Sequence, residues 1–236
     1  MTSSLDGSQV DPRSVDSMLI RKGIPRLFDV TIGLIVLFVF SPLILIAAIA
    51  VAVSSAGPAI FRQTRVGLRG RTFVLYKLRT MRELGGGPQI TSGDDHRVTS
   101  IGKILRKTKI DELPGLWNVV KGDMSLVGPR PEVPRYVDLN NPQWTTVLLA
   151  RPGITDPITM RLRNEEQLLE CVEGDREVFY LTVLQPLKLK GYIKYLKTRS
   201  CLRDLKVVWQ TILAVILPSR LPSLEIEKVI AEGLGS

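Results

Sequence analysis

The sequence predicts an α+β protein: a helix-break-helix hairpin that enters a membrane and returns, joined to a compact, mostly helical domain with a short β-hairpin and interfacial amphipathic helices. Three observations lead there. Residues 30–61 carry no charged side chain, Ser41-Pro42 falls inside that run, and arginine and lysine cluster on both sides of it. Beyond the run, two short segments separated by glycines read as paired strands, and the remainder places apolar residues mostly at helical spacing.

The membrane segment comes first. A straight helix over residues 30–53 would be roughly 36 Å long at about 1.5 Å per residue, enough to cross a hydrocarbon core of about 30 Å. The flanks oppose crossing. Arg21, Lys22 and Arg26 precede the run, Arg62, Arg65, Arg69 and Arg71 follow it, and the positive-inside bias asks both ends to stay cytoplasmic. A re-entrant hairpin satisfies both. Pro42 supplies the break, since it lacks an amide proton, leaves the Phe38 carbonyl without its helical partner and crowds the preceding turn. The Ser41 hydroxyl is placed to cover part of that deficit. A kinked spanning helix is the alternative. Ser54-Ser55-Ala56 is a weak signal-cleavage pattern, because the apolar stretch before it exceeds the ~7 to 15 residues usual for such signals. The expected division is a polar segment over 1–25, the membrane helix over 26–56, one domain over 57–217 and a tail over 218–236.

With 236 residues and part of them in lipid, the chain has room for one domain of about 150 residues. A net charge of +9 suits nucleic acid, anionic headgroups or phosphorylated substrates, and the apolar run moves the weight to the last two and away from nucleic acid. Cys171 and Cys201 form no C-x-x-C pair and lie far from the single histidine, His96. That pattern offers no zinc site and no disulfide framework, and is simplest as two free, buried thiols in a reducing compartment.

Along the domain, residues 60–63 and 72–78 read as strands joined through Gly67 and Gly70, followed by a loop that holds Gly85-Gly86-Gly87-Pro88. Ile101, Ile104 and Leu105 then recur at helical spacing, so a short amphipathic helix begins at Thr99 or Ser100. Leu113, Leu116, Trp117 and Val120 give a second helix ending near Gly122, and 124–127 is a short strand leading into Gly128-Pro129-Arg130-Pro131. Beyond residue 163 the pattern is helical. Tyr192, Tyr195 and Leu196 mixed with Lys194 and Lys197 read as an interfacial helix, and 207–217, too short to span, as a core or interfacial one.

The most suggestive acids are Asp111-Glu112, with Arg106, Lys107 and Lys109 just before them. One reading is structural, because Thr108-x-x-Asp111 matches a capping box on the helix that Pro114 and Leu116 continue. The other is chemical. A carboxylate at a helix start among cations stays ionised and can act as a nucleophile toward phosphorus, while Glu112 can hold a magnesium ion that bridges phosphate oxygens. Gly128-Pro129-Arg130-Pro131 fixes a turn that presents one guanidinium, the side chain suited to bidentate phosphate contact, or else is a rigid turn with a solvated arginine. Asp95-His96-Arg97 reads more simply as surface. No Walker loop, dinucleotide fingerprint or nucleophile elbow is present.

In order and spacing, Arg26-x-x-Asp29, Ser41-Pro42, Lys77-Leu78-Arg79-Thr80-Met81, Asp111-Glu112-Leu113-Pro114, Trp117-Asn118-Val119, the run from Lys121 to Pro131 and Arg151-Pro152-Gly153-Ile154-Thr155 closely resemble the bacterial sugar transferases, the small monotopic polyprenyl-phosphate phosphoglycosyl transferases. The resemblance extends from about residue 22 to 215. It implies a re-entrant helix broken at Ser41-Pro42 in the bacterial inner membrane and a catalytic domain facing the cytoplasm. It further implies that Asp111 attacks the β-phosphate of a UDP-sugar, expels UMP and passes the phosphosugar to undecaprenyl phosphate, with Mg2+ on Glu112 and Asp111. Arg106 and Arg130 are the chosen phosphate contacts, with Gly128, Pro129 and Pro131 shaping the loop. Downstream glycosyltransferases would take the lipid-linked product into exopolysaccharide, capsule or glycoprotein glycan. Two departures from the pattern stand out: Asp156-Pro157-Ile158-Thr159, where many members continue with glycine and a bulky residue, and Gly115, where glutamine is common. The first bears on sugar or nucleotide recognition. Two other readings stay open, a membrane-bound scaffold that binds lipid or nucleotide sugar without turnover and a magnesium-dependent nucleotide-sugar hydrolase.

Overall fold

The computed structural model describes residues 22–82, 95–162 and 164–217. The polar N-terminal stretch up to residue 21, the Gly85-Gly86-Gly87-Pro88 loop and the 218–236 tail lie outside them. Helix α1, Arg26–Ser54, is 29 residues long and takes up residues 30–54 of the uncharged run, with Pro42 inside it. The Ser41 hydroxyl donates to the Phe38 carbonyl at 2.8 Å, the carbonyl that Pro42 cannot serve. The chain is helical on both sides of Pro42 with no loop between. By length and composition α1 is able to cross a membrane, and its exposed middle, from Phe38 to Ile46, suggests membrane association.

Only the two ends of α1 are buried, Asp29 and Gly33 at one and Ala47 and Val51 at the other. At the first, Arg26 donates to the carbonyls of Val119, Val120 and Met124, and Asp29 accepts the Leu126 amide. At the second, Ala47 and Val51 pack with Leu78 and Leu105. There Arg79 donates to the Ser55 and Ala56 carbonyls at 2.6 and 2.7 Å. Both ends therefore grip the same globular body.

That body opens with β1 (Ile60–Val66) and β2 (Thr72–Leu78), an antiparallel hairpin in which Ile60 faces Leu78 and Val66 faces Thr72. Helix α2 (Ser100–Thr108) follows, its first turn capped by the Thr99 hydroxyl, which accepts the Gly102 amide at 2.9 Å. A 3₁₀ turn over Ile110–Gly115 leads into α3 (Leu116–Lys121), which stops at Gly122 with φ +99°. Strand β3 (Ser125–Val127) pairs in parallel with β4 (Gly153–Thr155), after α4 (Pro142–Val147) has crossed between them. Short helices α5 (Pro157–Arg161), α6 (Glu165–Glu170) and α7 (Arg176–Phe179) precede α8 (Gln185–Thr198) and α9 (Cys201–Ile216). The main core joins Leu75, Val119, Met124, Val127, Leu196 and Val207, drawn from β2, α3, the β3 region, α8 and α9.

Several expectations are corrected. The capping box does not form: Lys109 adopts φ 58° and ends α2, while the Thr108 hydroxyl turns back to the Ile104 and Leu105 carbonyls. Tyr192 and Tyr195 do not form an interfacial face on α8, since both are buried and Tyr195 donates to Asp204 at 2.6 Å. Both cysteines are free as expected, but exposed rather than buried.

Candidate active site

The 3₁₀ turn between α2 and α3 presents Asp111 and Glu112 together. The αL residue Lys109 reverses the chain, and its carbonyl accepts the Glu112 amide at 3.2 Å. Beneath the turn, Asn118 is fully buried and plugs the backbone of β2: its Oδ1 accepts the Tyr76 amide at 3.2 Å and its Nδ2 donates to the Val74 carbonyl at 2.7 Å. Asp123 takes a second bond from the same amide group. The Trp117-Asn118-Val119 and Lys121-Gly122-Asp123 motifs thus fix Lys77 of β2 against the turn.

Glu112 Oε1 accepts from Arg130 Nη2 at 2.8 Å and from Lys77 Nζ at 3.3 Å. Burial alone would raise the Glu112 carboxyl, but Arg130 and Lys77 outweigh it and hold the group well below the usual carboxylate range. Glu112 in turn pushes the Arg130 guanidinium up. Asp111 lies in the opposite state. It is 6 % exposed, its Oδ1 has no hydrogen-bond partner among the described residues, and burial followed by the neighbouring Glu112 charge raises its pKa against the pull of Lys77, Lys109 and Arg106. A buried carboxylate oxygen without a partner is costly unless something outside the chain completes it.

Arg130 reaches this position because two glycines allow β3 and β4 to close. A Cβ on Gly153 would stand 2.1 Å from the Gly128 amide nitrogen, and one on Gly128 would stand 2.4 Å from the Arg151 carbonyl. Pro129 and Pro131 bracket Arg130 in the same loop, whose Pro131 carbonyl accepts from Arg65 at 3.1 Å. Behind it Arg65 pairs with Glu132, Glu132 accepts from the Tyr180 hydroxyl, and Lys188 pairs with Glu165 at 2.7 Å. A small cavity open to solvent lies in front, lined by Arg65, Lys77, Glu112, Gly115, Arg130 and Ile154 among others.

The structure joins Glu112 to Arg130, while Asp111, next to Glu112 on the turn, lies outside the cavity lining and in the field of Lys77, Lys109 and Arg106. Arg106 is placed differently: its guanidinium is taken up by Thr80, Met81 and Glu166, outside the lining of the cavity. Lys77 and Arg65 supply cationic lining that residue-by-residue reading did not select. For Lys77 the signal was present, a lysine between Tyr76 and Leu78 in a half-buried strand. Asp156, the departure noted above, is fully buried and caps α5 through the Ile158 and Thr159 amides and the Thr159 hydroxyl. Gly115 lines the cavity, where a Cβ would stand 3.3 Å from Ile154 Cδ1. Ser41 and Pro42 lie in the exposed middle of α1, away from this site.

A family model described as bacterial sugar transferase matches residues 20–218. The chain belongs to the bacterial sugar transferase family. Among relatives of this transferase, the UDP-glucose:undecaprenyl-phosphate glucose-1-phosphate transferase of Caulobacter vibrioides is 41% identical over 79% of the chain and 67% of its own length. The UDP-N-acetylgalactosamine-undecaprenyl-phosphate N-acetylgalactosaminephosphotransferase of Aeromonas hydrophila is 35% identical over 82% of the chain, which spans 44% of that longer protein. The exopolysaccharide production protein ExoY of Sinorhizobium fredii is 34% identical over 81% of the chain and 85% of its own length.

Magnesium fits the donor set. Mg2+ is commonly held by one or two carboxylates plus substrate phosphates, and the unpartnered Asp111 Oδ1 beside Glu112 offers that arrangement. No group of three or more metal-ligating side chains occurs among the described residues, and this mode of binding requires none.

Proposed function

We propose that this sugar transferase moves a sugar 1-phosphate from a UDP-sugar to undecaprenyl phosphate, releasing UMP, through an aspartyl-phosphosugar intermediate. The observation that carries the reading is the contrast between the two acids: Glu112 is clamped by Arg130 and Lys77, while Asp111 Oδ1 is buried and unpartnered at their side. The relatives' names, which specify UDP-sugars and undecaprenyl phosphate, support the substrate classes.

The ionised Asp111 oxygen attacks the β-phosphorus, the bond from that phosphorus to the bridging oxygen breaks, and UMP leaves with the electron pair. A phosphate oxygen of the polyprenyl phosphate then attacks the same phosphorus, the bond to Asp111 breaks, and the carboxylate is restored. Lys77 and Arg130 stabilise charge on the phosphate oxygens, and Arg65 holds the Arg130 loop. Arg106 joins them if the incoming phosphate replaces Glu166. Glu112 and Asp111 would hold a Mg2+ ion, which when bound would supply further positive charge to those oxygens. The product, a lipid-linked diphosphosugar, would begin assembly of exopolysaccharide or another glycan.

The acceptor's phosphate lies at headgroup depth, so the site belongs beside the membrane. A re-entrant α1 in the inner membrane, bent at Pro42 with the domain on the cytoplasmic face, is supported by the way both ends of α1 grip one body: a crossing helix would carry Ala47 and Val51 across the bilayer from Asp29 and Gly33.

The deciding experiment is UMP release by the purified chain with Mg2+ and a panel of UDP-sugars, without lipid, followed by intact mass. A burst near one UMP per protein with one phosphosugar added, absent in Asp111→Asn, supports the covalent route. Full turnover only with polyprenyl phosphate and no adduct means direct transfer. Sugar phosphate released into water means a hydrolase, and binding without UMP means a scaffold.

A further inference from the structure

Behind Arg130 lies a second small cavity, lined by Arg130, Glu132, Tyr180, Lys188 and Tyr192 among others. Lys188 is the least expected of these residues. A lysine is almost never buried unless it is paired, and this one is 7% exposed. Its Nζ donates to Glu165 Oε1 at 2.7 Å and stands 3.5 Å from the Tyr180 hydroxyl and 4.8 Å from the centroid of the Tyr180 ring.

The helix places it there. A π turn over Tyr180–Leu184 runs directly into α8. In a regular α-helix, at about 3.6 residues per turn, two residues eight apart point roughly 80° away from each other. The wider π turn takes up that difference and brings Lys188 over Tyr180. Turns of this kind are rare and occur frequently at functional sites.

Two carboxylates stand near Arg130 besides Glu112. Glu132, two residues on, is fully engaged: Arg65 and the Val133 amide donate to its Oε1, and the Tyr180 hydroxyl to its Oε2. Glu165 is held by Lys188, and its charge adds to that of Glu112 in pushing the Arg130 guanidinium up. Glu112 has a second cation in Lys77 at 3.3 Å, so it can release Arg130 without being stranded. A guanidinium accepts either acid, since its planar fork matches any carboxylate presented to it.

We propose that Lys188 is a positioning residue for Arg130: by holding Glu165 it keeps that carboxylate from drawing the guanidinium away from Glu112 and from the phosphate oxygens to be met there. The catalytic part of the inference rests on the reading of Arg130 as a phosphate contact. The part that concerns geometry does not.

The test is a double-variant cycle on the full chain in detergent. Thermal midpoints of the wild type, Arg130→Ala, Glu112→Gln and the two combined give the coupling of Arg130 to Glu112, a quantity independent of any reaction. The same cycle is then run in Lys188→Met, which replaces the amine by an apolar chain of similar length, and in Lys188→Met, Glu165→Gln. The coupling is expected in the wild type, lost in the first background and restored in the second. A lysine needed only for folding would lower every midpoint and leave the coupling unchanged, which overturns the proposal. Loss that Glu165→Gln does not restore also overturns it, because Glu165 is then not the competitor. Lys188→Gln takes the place of Lys188→Met in the cycle if the latter does not fold. UMP release from whichever UDP-sugar the wild type turns over should follow the same order. Lys188→Met loses part of the roughly 10²-fold expected for Arg130→Ala, in kcat rather than KM, and both Lys188→Arg and the added Glu165→Gln recover it. No UMP release from the wild type would sink the proposed reaction and leave the coupling cycle to decide this inference.

Discussion

Asp29 Oδ1 accepts the Leu126 amide at 3.0 Å, joining the first turns of α1 to β3 across 97 residues of sequence. Arg130 lies four residues beyond Leu126, so the height of the guanidinium that holds Glu112 follows the position of α1. Asp29 is buried, and Arg26 one turn earlier grips the carbonyls around it. Asp29→Ala leaves the Leu126 amide buried without an acceptor, at a cost of about 1–3 kcal/mol. Thermal denaturation in detergent should show a lower midpoint for Asp29→Ala and a smaller loss for Asp29→Asn, which keeps an acceptor oxygen.

Removing Arg130 isolates Glu112 with Lys77. Arg130→Ala is expected to lower kcat for UMP release on the order of 10²-fold, the usual cost of one lost charge-stabilising donor. Arg130→Lys should recover part of it, since the charge returns without the planar fork. Equal activity in all three proteins would remove Arg130 from the site.

In the proposed reaction Asp111 must be ionised to attack. In the metal-free site its pKa is raised by burial and by Glu112, so there the ionised form appears as pH rises through a value above its usual one and is lost as pH falls through it. Lys109 pulls that value down, is exposed, and occupies φ 58°, a conformation glycine takes freely. Lys109→Gly should leave the backbone intact and move the acid limb of kcat/KM to higher pH. An unmoved limb would assign the titration to a group other than Asp111.

Pro42 tests the course of α1. Tags at residues 1 and 236 of the wild type should both be accessible from the cytoplasmic face. Pro42→Leu restores the amide donor to the Phe38 carbonyl and straightens the helix, so it should place the two tags on opposite faces. Opposite faces in the wild type would establish a spanning helix.

What was legible in the sequence was whatever depends on neighbours along the chain. The uncharged run gave α1, the Ser41-Pro42 pair gave the bond to the Phe38 carbonyl, and Thr99 gave the cap of α2. Strand β2 fell at 72–78 as read, because glycine punctuation and alternation are local signals. The carboxylate pair and Arg130 were likewise visible, through motif order rather than through geometry.

The tertiary structure decided matters that depend on distant partners. Thr108-x-x-Asp111 has a capping pattern, yet Lys109 turns left-handed and places Asp111 beside Lys77 and Glu112, which changes its electrostatics from ionised by a helix start to raised by burial. Tyr192 and Tyr195 look interfacial among lysines, but Val66 of β1 and Trp144 and Val147 of α4 cover the first, the β3 region and α9 cover the second, and the exposed apolar stripe falls on α9 instead. Arg106 and Lys77 are both basic residues near the acids, and only packing directs one to Glu166 and the other to Glu112. Periodicity fixes which side chains share a face; what that face meets is set by elements far away in sequence, whose approach here depends on close contacts such as Gly128 against Gly153.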